Sequence, residues 1–555
     1  MIFDFSLLRF VERCKGILTI FIYKKVKGLF VTSVLKYLIV FSIAILQSQY
    51  FVFAQCNNGG DDAYKKLERN LIDKCRILGD SGQYTKQLQY ALKAVEETER
   101  INKKYKCFSN RAHFALSDAY YNLGNLQKAL NSALDAFAFC ETFNRDNCNC
   151  MSESKMRIGQ AYEDMGQDTT AKKIYLEALE LCEMDGAKLM EAMVLMTLGD
   201  LERSQGLFEE ALIKFDMAEN LIQYYGPKLE FSHRVLGRCN YNRGLIFFQQ
   251  GKCESAFQKF EVAKNQSKMV HDRKNIAKCS LEIAKIYHIK SDFENALLNY
   301  QEAITISTIM KFKDIFVDSS SGIARIYSVQ GKDEEAKVIA WESFKIAKEN
   351  KNKVGMCNLY NIDARNRTLL FAEDSTEYKD NLFQAKTALT MAQQNSYKSG
   401  IAEACINIAY YYLDKRDYRK VRKYSNEALL IADSLGYTNL VVDALNNLGD
   451  VCFRMQNDKD SAFYYYNLAL TKAMNGSYMI CGEYKEGQVN AYLRIGDLYS
   501  KKHQQDLAYE QYAAARRIAI EISYKHGQEI AEKSLEVKKD GIPALNLKKK
   551  QYKRK

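Results

Sequence analysis

The sequence predicts an all-α fold, a solenoid of antiparallel helix pairs, on three observations. Proline and glycine are scarce, 2 and 28 among 555 residues, too few to turn a many-stranded β-protein and far from any collagen-like or Pro-rich composition. The chain is several times longer than a typical domain of ~100–200 residues, so it is multidomain or a repeat array. One pattern of small and large residues then recurs roughly every forty positions, which selects the array.

The amino-terminal segment comes first. Lys24, Lys25, Lys27 and Lys36 stand around an apolar run from Tyr37 to Ala54. A basic flank, an apolar stretch and a small terminal residue are the layout of a secretory signal, with cleavage expected after Ala54. An uncleaved anchor is the alternative: the core apolar length is short of the ~20 residues a membrane span needs, and extending it to Phe53 nearly suffices. Residues 1–54 are therefore expected to be a signal peptide or a membrane anchor. Cys56 invites a lipid-attachment reading, which Gln55, standing where a small residue is required, disfavours.

The repeats follow over residues 65–525. A pair, usually Leu or Ile followed by Gly, Ala or Ser, stands at Leu116-Ser117, Ile158-Gly159, Leu198-Gly199, Arg243-Gly244, Ile283-Ala284, Ile323-Ala324, Ile408-Ala409, Leu448-Gly449 and Ile495-Gly496. Four residues past its first member comes an aromatic in most copies, as at Tyr162, Tyr287 and Tyr499. Nine further on comes alanine, as at Ala171, Ala211, Ala256 and Ala296, then an aromatic four later and a small residue after three more. Glycine at Gly124, Gly166, Gly206, Gly251 and Gly331 separates the halves. Spacings of three, four and seven place the large residues on one face of each of two helices. The small residues let the helices approach closely, and a unit that cannot bury its face alone must stack on its neighbours.

The unit Ile283-Ala-Lys-Ile-Tyr287…Ala296-Leu-Leu-Asn-Tyr300-Gln-Glu-Ala303 resembles the tetratricopeptide repeat, and the units at Ile158 and Ile495 do so as well. The resemblance implies about nine to eleven units in a right-handed superhelix, here with a long unit of about forty residues. Arg243 in place of Leu, Cys452 in place of the aromatic, an insertion before Ala462 and a blurred copy between Asn352 and Asn395 depart from the pattern. Residues 526–555 are expected to hold a capping helix near Ile530–Val537 and a basic, disordered tail ending Lys548-Lys-Lys-Gln-Tyr-Lys-Arg-Lys555.

Part of the net charge of +12 lies at the two ends, so the body is nearer neutral and no nucleic-acid partner is expected. Six histidines show no ligand spacing, and no nucleophile elbow or phosphate loop occurs; the reading is non-catalytic, without metal or cofactor. Most of the 15 cysteines recur at core positions, as Cys239, Cys279, Cys405 and Cys452 do, and read as small buried hydrophobes. The cluster Cys140, Cys148 and Cys150 is the candidate for a disulfide.

By the resemblance, one face of each first helix lines a concave groove. The residues falling there are Arg203, Arg238, Tyr241, Asn242, Lys278, Lys285, Arg325, Asn407, Tyr410, Asn446 and Arg454. Asparagine can pair with a peptide backbone and the cations with its carboxylates. The implied function is a protein- or peptide-binding scaffold, exported or membrane-associated, with an acidic partner and contact to membrane only through the amino-terminal segment. A stand-alone sensor component of a bacterial signalling system, working through a separate effector, is the alternative.

Overall fold

The computed structural model describes residues 61–80, 82–105, 111–143, 148–226, 230–366, 381–455, 457–475 and 483–536. The expected signal or anchor, Cys56 and the lysine tail lie outside these residues. Every regular element among the described residues is helical. The chain divides into two compact units, residues 1–74 with 89–112, and residues 75–88 with 113–555.

The helices opening the chain are α1 (Asp61–Leu67), a π-turn (Glu68–Ile72), α2 (Asp73–Asp80) and α3 (Tyr84–Tyr105). In the smaller unit Leu67, Ala91, Ala94 and Ile101 are buried. The repeats of the larger unit pair a first helix with a second: α4 (Arg111–Asn122) with α5 (Leu126–Phe143), α6 (Cys148–Asp164) with α7 (Asp168–Asp185), α8 (Lys188–Ser204) with α9 (Phe208–Tyr225), and α10 (Glu230–Gln249) with α11 (Cys253–Met269). Next come α12 (Arg273–Ile289) with α13 (Phe293–Met310), α14 (Lys313–Val329) with α15 (Asp333–Glu349), and α16 (Lys353–Asn366) with α17 (Asn381–Gln394). The last pairs are α18 (Lys398–Asp414) with α19 (Tyr418–Leu435), α20 (Thr438–Met455) with α21 (Lys459–Asn475), and α22 (Lys485–Lys501) with α23 (Gln505–Glu521). A final helix α24 (Lys525–Glu536) follows, with Ala531 buried. It begins five residues before the capping helix the sequence predicts.

The small–large pattern is explained by one contact made in unit after unit. A Cβ on Gly199 would stand 2.6 Å from the ring of Phe215, and the same crowding holds between Gly159 and Tyr175, Gly244 and Phe260, Gly449 and Tyr466, and Gly496 and Tyr512. The aromatic of the second helix thus lies flat on the backbone of the first. Two units with alanine in the first helix carry no ring in the second, Ala324 being matched by Ala340 and Ala409 by Ser425, all fully buried, whereas Ala284 is matched by Tyr300, whose ring packs close to Gly322 of α14. Between the two helices of a pair, Gly124, Gly166, Gly206, Gly251 and Gly331 all take positive φ, from 70° to 80°, the backbone region that glycine enters without steric cost.

Arg243, standing where Leu is usual, is buried and forms ion pairs at 2.5 Å with Asp216 and Glu219 of α9. The insertion before Ala462 is absorbed at the α20–α21 turn, where Asn457 takes φ 49° and the Asp458 N–H reaches the carbonyl of Cys452. Cys239, Cys279, Cys405 and Cys452 are buried free thiols, and Cys140 bridges to Cys150, joining the end of α5 to the start of α6.

Candidate functional site

The first helices share a polar face, and their side chains meet across unit boundaries on it. On α8, Arg203 donates from Nη2 to Asp200 Oδ1 at 2.7 Å and from Nε to Asn242 Oδ1 of α10 at 3.1 Å. Tyr241 packs its ring 5.8 Å from that of Phe260 and carries Lys278 Nζ of α12 at 5.5 Å from its centroid. Arg238 is exposed and makes no ion pair among the described residues. Four of the expected residues, Arg203, Tyr241, Asn242 and Lys278, are therefore joined in one contact chain.

Lys274, one turn before Lys278, belongs with them, although the sequence reading passed over it; the i, i+4 spacing was the available signal. Its side chain is exposed, yet the crowding of neighbouring helices that partly desolvates it, then the charges of Lys278 and Arg238, hold its ammonium below the usual lysine range. Lys278 is lowered by burial foremost, with Asp200 opposing and Arg238 and Arg203 adding repulsion. Arg238, Lys274 and Lys278 thus form a cationic group with no carboxylate in ion-pair contact among the described residues. Beside it α6 carries an acidic group: Glu163 is pushed up to about 7 by burial and by Asp200, Asp164 and Asp168, against the Tyr175 hydroxyl, which donates to it at 2.8 Å.

The remaining expected cations are engaged within the fold. Lys285 is held by Glu282 at 2.8 Å, which with Asp318 outweighs the effect of burial and raises its affinity for the proton. Arg325 makes a two-pronged ion pair with Glu403 of α18, one arm at 2.9 Å. Arg454 is exposed without an ion pair among the described residues. Three acidic positions the sequence reading did not single out, Asp443, Glu486 and Asp450, complete this part: Arg365 reaches Asp443 at 3.1 Å and Glu486 at 3.4 Å, and Arg494 reaches Asp450 at 3.1 Å. Arg365 also stands 5.9 Å over the Tyr410 ring.

Asn407 donates to the backbone carbonyl of Asn361 at 3.0 Å. Asn446 and its neighbour Asn447 are buried, and neither the side-chain oxygen nor the side-chain nitrogen of either has a hydrogen-bond partner among the described residues. The polar face therefore changes character along the chain: cations without an ion pair among the described residues gather at Arg238, Lys274 and Lys278 of α10 and α12, and the ion pairs of Arg325, Arg365 and Arg494 dominate from α14 to α22.

Among the described residues no group of three or more His, Cys, Asp and Glu is placed to hold a metal ion, and no helix is long and apolar enough to cross a membrane. His288 is half-buried against Phe293 and Tyr300, and desolvation with the nearby Arg325 lowers it to about 3. It is a neutral ring.

Paired antiparallel helices, a ring-on-backbone contact repeated in five of the units and a shared polar face define the class as an all-α helical-repeat protein. The tetratricopeptide repeat family matches residues 152–183, the unit formed by α6 and α7, and its ring-on-backbone contact recurs in the pairs α8–α9, α10–α11, α20–α21 and α22–α23. The array is one of tetratricopeptide repeats. The chain is similar to the 43 kDa receptor-associated protein of the synapse from Tetronarce californica, 22% identical over 248 residues, which is 42% of this chain and 56% of that protein. Among solved structures it resembles a human IFIT1 dimer with m7Gppp-AAAA, 12% identical with 78% of this chain and 90% of that one covered and a TM-score of 0.37. It also resembles yeast Tom70, 13% identical, 86% and 97% covered, TM-score 0.31.

Proposed function

We propose that the chain is a non-catalytic scaffold, exported or membrane-associated, that holds an acidic, extended segment of a partner protein on the polar face of α8, α10 and α12. The observation that carries this reading is the group Arg238, Lys274 and Lys278, near enough in the fold to repel one another and none of them in ion-pair contact with a carboxylate among the described residues, Asp200, Asp164 and Asp272 acting on the lysines from farther off. A carboxylate arriving there relieves existing repulsion and gains charge-assisted hydrogen bonds. Arg203 and Tyr241 border the group. The same argument withdraws Lys285 and Arg325 from the front line, because each already has its anion.

Export is supported by the Cys140–Cys150 bridge, since disulfides persist chiefly in oxidising compartments, and by the layout of residues 37–54. The test is partner capture by the full chain against the double variant Arg238→Glu/Lys278→Glu. Recovery of the partner should fall, and that of the wild type should fall with added salt, because exposed charges are screened beyond ~8 Å at physiological ionic strength. Helicity and melting should stay nearly unchanged. Equal recovery by both proteins would refute the reading.

A further inference from the structure

Thirteen residues past the first alanine of the second helix, four consecutive units place a large apolar side chain in solvent. Met184, Tyr224, Met269 and Ile309 end α7, α9, α11 and α13 and are 81%, 82%, 63% and 57% exposed. Elsewhere the same position holds Thr142, Glu349, Gln394, Ser434, Asn475 and Glu521. An apolar residue exposed once needs no explanation, but four in one register make a line.

The turns on this edge carry the second row. Lys268 in the last turn of α11, Arg273 after it, Lys311 after α13, and Lys351 and Lys353 after α15 are all exposed and without an ion pair among the described residues. Lys313 lies 3.9 Å from Glu349, Asp272 caps α12 by accepting from the Asn275 N–H, and the Asp314 carboxylate is held by the amides of Asn350 and Asn352. Each turn keeps an excess of positive charge.

These cations occupy costly places. Arg273, Lys313 and Lys353 are the first residues of α12, α14 and α16, where the helix macrodipole disfavours a positive charge. Lys311 and Lys351 take φ of 58° and 55°, where other units have glycine. The ends of α13 and α15 favour a cation after them and offset part of this second cost; the first is offset in part by the Asp272 cap on α12 and by Glu349 beside Lys313 on α14. A shallow depression of about 510 Å³ lined by Lys351, Lys353, Asn350, Asn352 and Asp314 opens on the same edge.

We propose that this edge docks on an anionic lipid surface. Met184, Tyr224, Met269 and Ile309 enter the boundary between headgroups and acyl chains, while the lysines and Arg273 meet lipid phosphates. The two rows overlap at the turns after α11 and α13, where Met269 and Ile309 stand beside Arg273 and Lys311, and such a meeting of apolar and basic groups is what an interfacial element presents. A protein partner is recognised instead through a central cluster of buried anchors, and these side chains are strung out one per unit. The edge is separate from Arg238 and Lys278, so it stands whether or not the polar face binds peptide, and it adds a membrane contact beyond residues 1–54.

The experiment uses the full chain, so that residues 1–54 are the same in every sample. Vesicles rich in phosphatidylglycerol are added, and flotation and hydrogen–deuterium exchange are recorded. Protection is expected in 268–274, 308–314 and 348–354. The triple variant Lys311→Glu/Lys351→Glu/Lys353→Glu and the triple variant Tyr224→Ser/Met269→Ser/Ile309→Ser should each bind at least about tenfold more weakly, with circular dichroism unchanged. Flotation undiminished in both variants, or no protection in these turns, would overturn the proposal. So would equal protection of the same turns by heparin with no effect of the serine substitutions, which would make the edge a polyanion site.

Discussion

Replacing Gly199 by alanine sets two effects of known sign against each other. Gly199 and Phe215 are both fully buried, and the new methyl would meet the ring at 2.6, 3.0 and 3.1 Å. Overpacking of this kind costs about 1–3 kcal/mol, whereas Gly→Ala in a helix interior returns roughly 1 kcal/mol of propensity. The expected net loss is about 0–2 kcal/mol. Urea denaturation followed at 222 nm measures it, and hydrogen exchange in α8 and α9 shows whether the loss is local. The double variant Gly199→Ala/Phe215→Leu should lose less than the sum of the single variants, because the natural pairs Ala324–Ala340 and Ala409–Ser425 already combine a methyl with a small partner. A gain of about 1 kcal/mol for Gly199→Ala would refute the reasoning: the ring would then be free to slide, and the contact would not set the distance between the helices.

Arg243→Leu restores the usual residue and frees Asp216 and Glu219, which are partly exposed; it should change stability by no more than about 1 kcal/mol, whereas Arg243→Ala, which leaves a cavity, should cost about 2 kcal/mol or more. Thermal melting separates the two. Glu163 binds its proton more tightly in the folded chain, up to about 7, so the folded state holds more protons than the unfolded one between about pH 4.5 and 7 and this group's contribution to stability falls as pH rises through that window. Glu163→Gln should flatten the slope of melting temperature between pH 5.5 and 7.5, and an unaltered slope would refute the assignment. Cys140→Ser removes a short covalent loop worth about 3 kcal/mol by chain entropy; the wild type should melt lower with reductant, and the variant should not respond.

The array was legible because its register is written in residues only nine to sixteen positions apart. Ile158, Gly159 and Tyr175 define a unit without any knowledge of its neighbours, and the ring-on-backbone contact explains why the small and large positions keep step. The polar face was legible only where contacts are short in sequence. Lys285 has its counter-charge three residues back, at Glu282, a spacing open to inspection. Arg325 finds Glu403 78 residues away, across an intervening unit, and no local pattern announces that pair. Lys274 was overlooked for a different reason: the groove positions of the familiar shorter unit do not include it, while the longer helices here carry their first turn into the same cationic group. The exposed line from Met184 to Ile309 was hidden because hydrophobic residues near helix ends read as core until burial is known.

The ion pair between Arg325 and Glu403, and that of Arg365 with Asp443 and Glu486, span non-adjacent units. So do the hydrogen bond from the Tyr84 hydroxyl to the Met310 carbonyl, 226 residues apart, and the close approach of Lys525 to Gly331. A stack whose members touch only the next in line behaves as a one-dimensional chain that can fray, lose or gain a member with a local penalty. Ties that skip units add phase to that chain: each bond requires a fixed number of units between its ends. Excising one complete unit, α16 with α17 for instance, would throw Arg325 and Glu403 out of phase together with every other tie spanning the cut. Drift in copy number, ordinarily cheap for repetitive sequences, is in this molecule a change that several distant contacts oppose at once.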